Sequence, residues 1–308
     1  MEPPIRRVRV FINPHSGLWW SSRSLQEKLE RHWDVEGMDL AYQYSRSPGD
    51  GRAKALRAVE DGVDTVLVVG GDGMVNTIGS ALIRTGVALG VIPAGSGNGF
   101  ARHFDVPLNA EGAVTALLDG RRVCIDVGTA NGRPFFVTCS LAWDAALVRT
   151  FEKSPIRGIL PYVFAAAYEF LEYETQPFKV VLDGTEEISF TNPLLFTVAN
   201  LTQFGGGARI APQARHDDGF LELVQIARRD APAVLAQLPR LFQGTLDQLS
   251  QVVTHRFRSL TVHRGEAGPM QLDGELVEAP ADVTVEVLPE ALTVLVPQSS
   301  GGRPASEE

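Results

Sequence analysis

The chain has 308 residues, 44% hydrophobic and 21% charged, enough apolar side chains for one large core or two moderate ones and too many for a disordered polymer. Its formal net charge of −9 excludes the broad basic face that non-specific nucleic-acid binding needs, while leaving room for a local phosphate site. No stretch approaches ~18 uninterrupted apolar residues and the N-terminus, MEPPIRRVRVFINPHSG, has no apolar signal region, so a cytoplasmic protein is expected.

The elements follow in chain order. Val8 to Ile12 reads as a first strand, ending at the polar turn Asn13-Pro14-His15-Ser16-Gly17. Residues 22–33 carry Leu25, Leu29 and Trp33 at helical spacing. Leu40 to Tyr44 reads as a strand, Asp50 to Asp61 as a helix, and Val66 to Val69 as a fully buried parallel strand. That strand runs into Gly70-Gly71-Asp72-Gly73 and then a helix through Leu82; Leu89 to Ile92 is followed in the same way by PAGSGNGFAR, 93–102. Strand and helix alternating at this spacing predict a parallel α/β sheet.

Near Asp126 the pattern changes to short alternating runs: Phe135–Cys139, Phe178–Leu182, Leu194–Val198, Phe220–Ile226, Ser259–Val262, Val283–Val287 and Leu292–Val296. Asp183-Gly184 and Asp273-Gly274 supply hairpin turns, so an antiparallel sandwich is expected. Two helices interrupt it. One, 156–173, is rich in aromatics and suits a core helix, the wall of an apolar cleft or a lip on a bilayer; the other covers 231–250. Cys124 and Cys139 lie in apolar surroundings without metal-like spacing and read as buried free thiols. The tail, 298–308, is small and polar, which predicts disorder.

Two glycine turns after two strands of one sheet, GGDG at 70–73 and GSGNG at 95–99, would form a floor of backbone amides where ligands of open α/β sheets collect. Such a floor suits a nucleoside triphosphate, with Mg²⁺ relieving the repulsion between Asp72 and phosphate. No Gly-Lys-Ser/Thr follows, so the turn is not a Walker A loop, and the spacing is not GxGxxG.

VGGDGMVN (69–76) resembles the signature of the diacylglycerol kinase catalytic domain, shared with sphingosine and ceramide kinases and bacterial lipid kinases. FINPHSG (11–17), IPAGSGNGFAR (92–102), FGGGARIAPQARHDDGFLEL (204–223) and QLDGELV (271–277) resemble four further motifs of that family, in order and over most of the chain. The resemblance implies an α/β + β fold: an NAD kinase/diacylglycerol kinase-like nucleotide domain, 1–127, then an antiparallel β-sandwich lipid domain, 128–288. The segment 289–308 would return to the first domain, and the active site would lie between the two. By motif match, Ser45, Gly70, Gly71, Asp72, Gly73, Met74, Val75, Asn76 and Ser96 would hold ATP. Asp72 and Asp126 would position the catalytic Mg²⁺, and Glu275 would be the general base for the lipid hydroxyl. A second, structural Mg²⁺ of bacterial members would be held by Asp218 and the carbonyls of Arg215 and Phe220.

The chain departs from the pattern at Met74, where a threonine is usual, at Thr77 in place of glutamate and at Gly99 in place of aspartate. The resemblance thus implies an ATP- and Mg²⁺-dependent lipid kinase in peripheral contact with a membrane, with no nucleic-acid partner. A kinase of a soluble acceptor such as NAD, and a degenerate nucleotide- or lipid-binding protein, stay open as alternatives. So does a homodimer formed through an exposed strand edge.

Overall fold

A computed structural model of the chain describes residues 6–13, 22–33, 37–142 and 176–300. The aromatic segment 156–173 expected to be a helix lies outside these. The chain divides into two compact units: Met1–Asp126 with Gly205–Gly207 and Glu290–Glu308, and Val127–Phe204 with Ala208–Pro289.

The first unit alternates strand and helix: β1 (Arg6–Ile12), α1 (Ser22–Trp33), β2 (Met38–Tyr44), α2 (Pro48–Glu60), β3 (Thr65–Gly70), α3 (Asp72–Gly79), β4 (Ala88–Pro93), α4 (Gly99–His103) and α5 (Ala110–Leu118). The strands pair in parallel in the order β2-β1-β3-β4. Every residue of β3 and β4 is buried, which is why both read as unbroken apolar runs rather than alternating ones. Ser47 begins α2 by accepting a hydrogen bond from the Asp50 amide at 3.2 Å, with Pro48 in the first helical position where its missing N–H costs nothing.

The second unit is antiparallel. β5 (Arg121–Ala130) leads into it, followed by β6 (Arg133–Phe135), β7 (Thr138–Ser140), β8 (Phe178–Leu182), β9 (Glu186–Phe190), β10 (Pro193–Ala199), β11 (Gln203–Gly205), β12 (Ala208–Arg209) and β13 (Leu221–Ala227). Then come α6 (Ala231–Leu235), α7 (Pro239–Gln243), β14 (Val252–Phe257), β15 (Ser259–His263), β16 (Gly268–Leu272), β17 (Glu275–Ala279) and β18 (Asp282–Val296). One sheet orders β18-β15-β8-β9 and the other β14-β13-β10-β7-β16-β17. Val180, Leu182, Leu260 and Val283 from the first interleave with Phe196, Leu223, Phe257 and Met270 from the second, making the sandwich core. The fold is therefore an α/β domain followed by an antiparallel β-sandwich. No helix among the described residues is long and apolar enough to cross a membrane.

Four expectations change. The run Phe135–Cys139 is not one strand: β6 ends at Phe135 and β7 starts at Thr138, and between them the amide hydrogens of Phe136 and Val137 go to the carboxylate of Asp273 instead of a ladder. The helix expected over 231–250 is two short helices. Pro239 lacks the amide that would continue α6, and Gly244 at φ 71° closes α7. Val283–Val287 and Leu292–Val296 are one strand, β18, of 15 residues. Cys139 is buried, but Cys124 is exposed, since β5 alternates at its start before becoming continuously buried.

Candidate active site

The parallel register sets the site. Ile12 pairs with Tyr44 and with Val69, and Gly70 pairs with Pro93, so the residues after β2, β3 and β4 emerge along one carboxyl edge. Ser45, the run Gly70 to Asn76 and the loop bearing Ser96 are thereby brought to a common rim.

The two glycine loops touch through bare backbone. A β-carbon on Gly71 would lie 3.0 Å from the Gly95 Cα, a tight contact, and one on Gly95 would lie 2.6 Å from the Gly71 Cα, closer than side chains allow. The Ala94 amide donates to the Gly70 carbonyl at 3.0 Å, extending the contact. Asn98 then closes the second loop on itself. It adopts the left-handed conformation at φ 51°, its Oδ1 accepts from the Gly95 amide at 2.9 Å, and its Nδ2 donates to the Gly95 carbonyl at 2.8 Å.

Asp72 ties the loops together. It opens α3, yet its carboxylate accepts hydrogen bonds from the Gly99 and Phe100 amides of α4, each at 2.9 Å. Partial withdrawal from water pushes its carboxyl above the usual range, opposed by those amides and by the charge of Arg102. A third glycine segment completes the rim within the same unit. Gly205, Gly206 and Gly207 have φ of 125°, 62° and 93°, a succession other residues do not tolerate, and the Gly206 amide donates to the Gly97 carbonyl at 3.0 Å. Arg102 Nε donates to that same carbonyl at 3.1 Å.

The substituted positions have local uses. Met74 packs its side chain over Gly70, where a β-carbon would stand 2.8 Å from the Met74 sulfur. The Thr77 hydroxyl donates back to the Gly73 carbonyl at 3.0 Å inside α3. The Ser45 hydroxyl donates to the Ser47 carbonyl at 3.0 Å and packs on Gly51 of α2. Ser96 is exposed at the loop tip. Asp126 is 1% exposed, and its Oδ1 accepts from the Glu290 amide at 2.8 Å, fixing a carboxylate where β5 leaves the unit.

In the second unit, Glu275 is exposed at the first position of β17. The turn before it, Asp273-Gly274, has φ of 50° and 83°, the type I′ signature of a tight hairpin. Asp273 is 6% exposed and accepts amide hydrogens from Phe136, Val137 and Thr138 at 2.8, 2.7 and 3.1 Å. Burying a lone carboxylate costs several kcal/mol; three amide donors to a charge, at roughly 1.5–3 kcal/mol each, offset it. Gln271 accepts from the Gly274 amide at 2.6 Å and donates to the hydroxyls of Thr138 and Ser140, both at 3.0 Å. The acidic shoulder of Glu275 therefore stands on a rigid buried network.

Asp218, in the turn before β13, accepts from the Phe220 amide at 3.1 Å and from Arg256 Nη2 at 2.5 Å, with Arg215 Nε at 3.9 Å. Glu222 lies 3.9 Å from Arg256 Nε. Among the described residues, no group of three or more His, Cys, Asp or Glu side chains is placed to hold a metal ion unaided.

Sequence reading placed Asn98, Arg102, Gln271 and Asp273 within its motifs but gave none of them a role in the site. An asparagine before glycine is a recognisable left-handed position, and so was detectable. The partners of Asp273, more than 130 residues away in the chain, were not.

Comparison with known proteins supplies the remaining observations. Residues 7–130 match the family model for the diacylglycerol kinase catalytic domain, and residues 138–296 match the YegS C-terminal NAD kinase beta sandwich-like domain. The chain is 32% identical over 302 residues to a diacylglycerol kinase of Mycobacterium tuberculosis, covering 96% of each. A probable lipid kinase YegS-like protein of Pectobacterium atrosepticum is 26% identical over 271 residues, covering 85% of this chain and 88% of that one. A crystal structure of a diacylglycerol kinase from Bacillus anthracis shares the fold, with a TM-score of 0.72 at 20% identity over 96% of this chain and 98% of that one.

Proposed function

This chain belongs to the diacylglycerol kinase family, and on that premise we propose that it transfers the γ-phosphate of ATP to a hydroxyl of a diacylglycerol-like or sphingoid lipid. The observation that carries the reading is the contact of Gly71 with Gly95, which leaves two adjoining loops of bare backbone at the carboxyl edge of the sheet. Backbone amides held rigidly at a strand-to-helix turn recognise phosphate oxygens by direction as well as charge. Gly70 to Asn76, Ser96 and, from the end of β2 two strands away from β3, Ser45 are the residues assigned to ATP.

Asp72 and Asp126 are assigned to a Mg²⁺ that arrives with the nucleotide. Their donor chemistry fits: both are hard carboxylates, and the two oxygens of Asp72, which accept from the Gly99 and Phe100 amides, offer more acceptor sites than backbone amides fill. When bound, the ion neutralises charge on the transferred phosphoryl group. Glu275 takes the proton from the attacking lipid hydroxyl, and the network under Asp273 keeps it in place.

A lipid acceptor calls for contact with a bilayer surface. Phe242 and Leu238, 55% and 46% exposed, are one helical turn apart, and Arg229 and the partly buried Arg240 are close in sequence. Bulky apolar tips with cationic residues near them in the chain suit the interface of an anionic membrane.

The test is γ-phosphate transfer in mixed detergent micelles to diacylglycerol, monoacylglycerol, sphingosine, ceramide and phosphatidylglycerol, with Mg²⁺ and a Glu275→Gln control. A labelled lipid that is lost in the control supports the proposal and identifies the acceptor class. A blank panel with intact ATP binding overturns the lipid acceptor, and absence of ATP binding overturns the phosphate-loop assignment.

A further inference from the structure

The resemblance to bacterial lipid kinases implies a structural Mg²⁺ beside the Asp217-Asp218-Gly219 turn, yet the residues here fit that ion poorly. The Asp218 carboxylate, the one side-chain ligand of the implied set, is already paired: Arg256 Nη2 donates to its Oδ2 at 2.5 Å and the Phe220 amide donates to its Oδ1 at 3.1 Å. Arg215 adds a second guanidinium, with Nε 3.9 Å from Asp218 Oδ2 and Nη2 3.4 Å from Asp217 Oδ1. A divalent cation bound to Asp218 would therefore stand within a few ångströms of one or two fixed positive charges, and carboxylate attraction would have to exceed that repulsion.

Arg256 is also held where it is. On β14 it is the register partner of Glu222 on β13, and its Nε lies 3.9 Å from that carboxylate. Its guanidinium carbon lies 4.0 Å from the centre of the Phe220 ring, and that of Arg258 lies 4.5 Å from the same ring. The guanidinium thus has the Asp218 carboxylate on one side, the Glu222 carboxyl group on the other and an aromatic face beside it, contacts that a planar guanidinium satisfies and a hydrated divalent ion does not.

We propose that in this chain the Arg256 guanidinium occupies the place of the structural cation, so that the Asp218 turn is held by an internal charge and the β-sandwich is stable without bound metal. The turn joins the segment after Gly205–Gly207 to β13, and a resident cation makes its folding independent of Mg²⁺ supply, whatever metal the nucleotide brings to the reaction.

The test is thermal unfolding of the nucleotide-free protein in EDTA and in millimolar Mg²⁺, for the wild type, Asp218→Asn, Arg256→Gln and the double variant. The wild-type Tm should be the same in both buffers, to within about 1 °C. Arg256→Gln should lose about 3–6 °C in EDTA and regain a large part of it in Mg²⁺, with no regain in the double variant. A wild-type Tm that rises with Mg²⁺ in a manner abolished by Asp218→Asn overturns the proposal, as does an Arg256→Gln variant indifferent to Mg²⁺. Should Arg256→Gln not fold, Mn²⁺ binding followed by electron paramagnetic resonance decides. Equal numbers of bound ions in wild type and Asp218→Asn support the internal cation, and one fewer in Asp218→Asn overturns it. Neither readout uses lipid phosphorylation, so failure here is distinct from failure of the kinase assignment.

Discussion

Gly71 and Gly95 stand in backbone contact, so close that a β-carbon on Gly95 would lie 2.6 Å from the Gly71 Cα and 3.0 Å from Asn98 Oδ1. Gly95→Ala must therefore separate the two loops, at a cost of about 1–3 kcal/mol, and ATP affinity should fall at least roughly tenfold. Gly97→Ala is the control, because its nearest new neighbours, Asp72 Oδ2 at 3.4 Å and the Gly205 Cα at 3.6 Å, are ordinary contacts. Calorimetric ATP titration and urea unfolding of both variants check this; equal behaviour would refute the contact as the reason for the glycine.

Asp72→Asn replaces an acceptor of two amide hydrogens by a group that can accept only one without facing donor to donor. Stability should drop by roughly 1–3 kcal/mol and phosphoryl transfer should be lost. Folding measured by denaturant and turnover measured by phosphate release separate the two effects. Turnover at the wild-type rate would remove Asp72 from the reaction.

Glu275→Gln and Asp273→Asn should fail differently although the residues are two apart. The first alters an exposed side chain and should leave unfolding unchanged while kcat falls about 10²–10⁴-fold. The second breaks a buried carboxylate that holds three amides and should destabilise the sandwich by about 3 kcal/mol. Denaturant midpoints with matched kcat values make the comparison.

Burial pushes the Glu222 carboxyl up to about 7 from 4.5, with Asp218 adding to the rise and Arg256 opposing it. The folded chain therefore holds a proton between these values that the unfolded chain has released, and stability must fall as pH climbs through that window. Glu222→Gln removes the dependence. Its advantage over wild type should be small near pH 4.5 and grow to roughly 1–3 kcal/mol above pH 7. Denaturant titrations at several pH values check the slope; parallel curves would contradict it.

Replacing Leu238 and Phe242 by serine should reduce sedimentation with anionic phospholipid vesicles about tenfold without altering Tm, since both side chains already face solvent. Unchanged vesicle binding would move the membrane contact elsewhere.

Much of this architecture was legible from residue order. The apolar runs Val66–Val69 and Leu89–Ile92 read as strands of a parallel sheet, and the glycine turns after them pointed to a rim of backbone amides. Family membership was readable for the same reason, because bare backbone at a close contact tolerates few substitutions. Other features escaped for identifiable causes. Reading 231–250 as one helix passed over Pro239, whose missing amide is a strong local signal. The break between β6 and β7 depends on a carboxylate from a distant hairpin, and nothing in FFVTCS records it. Likewise, the opposite exposures of Cys124 and Cys139 follow from the alternation at the start of β5, which composition around each cysteine does not reveal.

The first unit is assembled from chain segments ending at Asp126, at Gly205–Gly207 and after Glu290, and Val294 of β18 pairs with Leu89 of β4. During synthesis, the edge of β4 must therefore wait for a strand made roughly 160 residues after Asp126, about ten to thirty seconds later at ordinary elongation rates. Through that interval the nascent chain presents an apolar, unpaired parallel edge, the kind of surface that recruits a second copy or a chaperone. Slow translation downstream of Asp126 should thus favour aggregation of the emerging chain, and emergence of the second half of β18 from the ribosome is the event that seals its first unit.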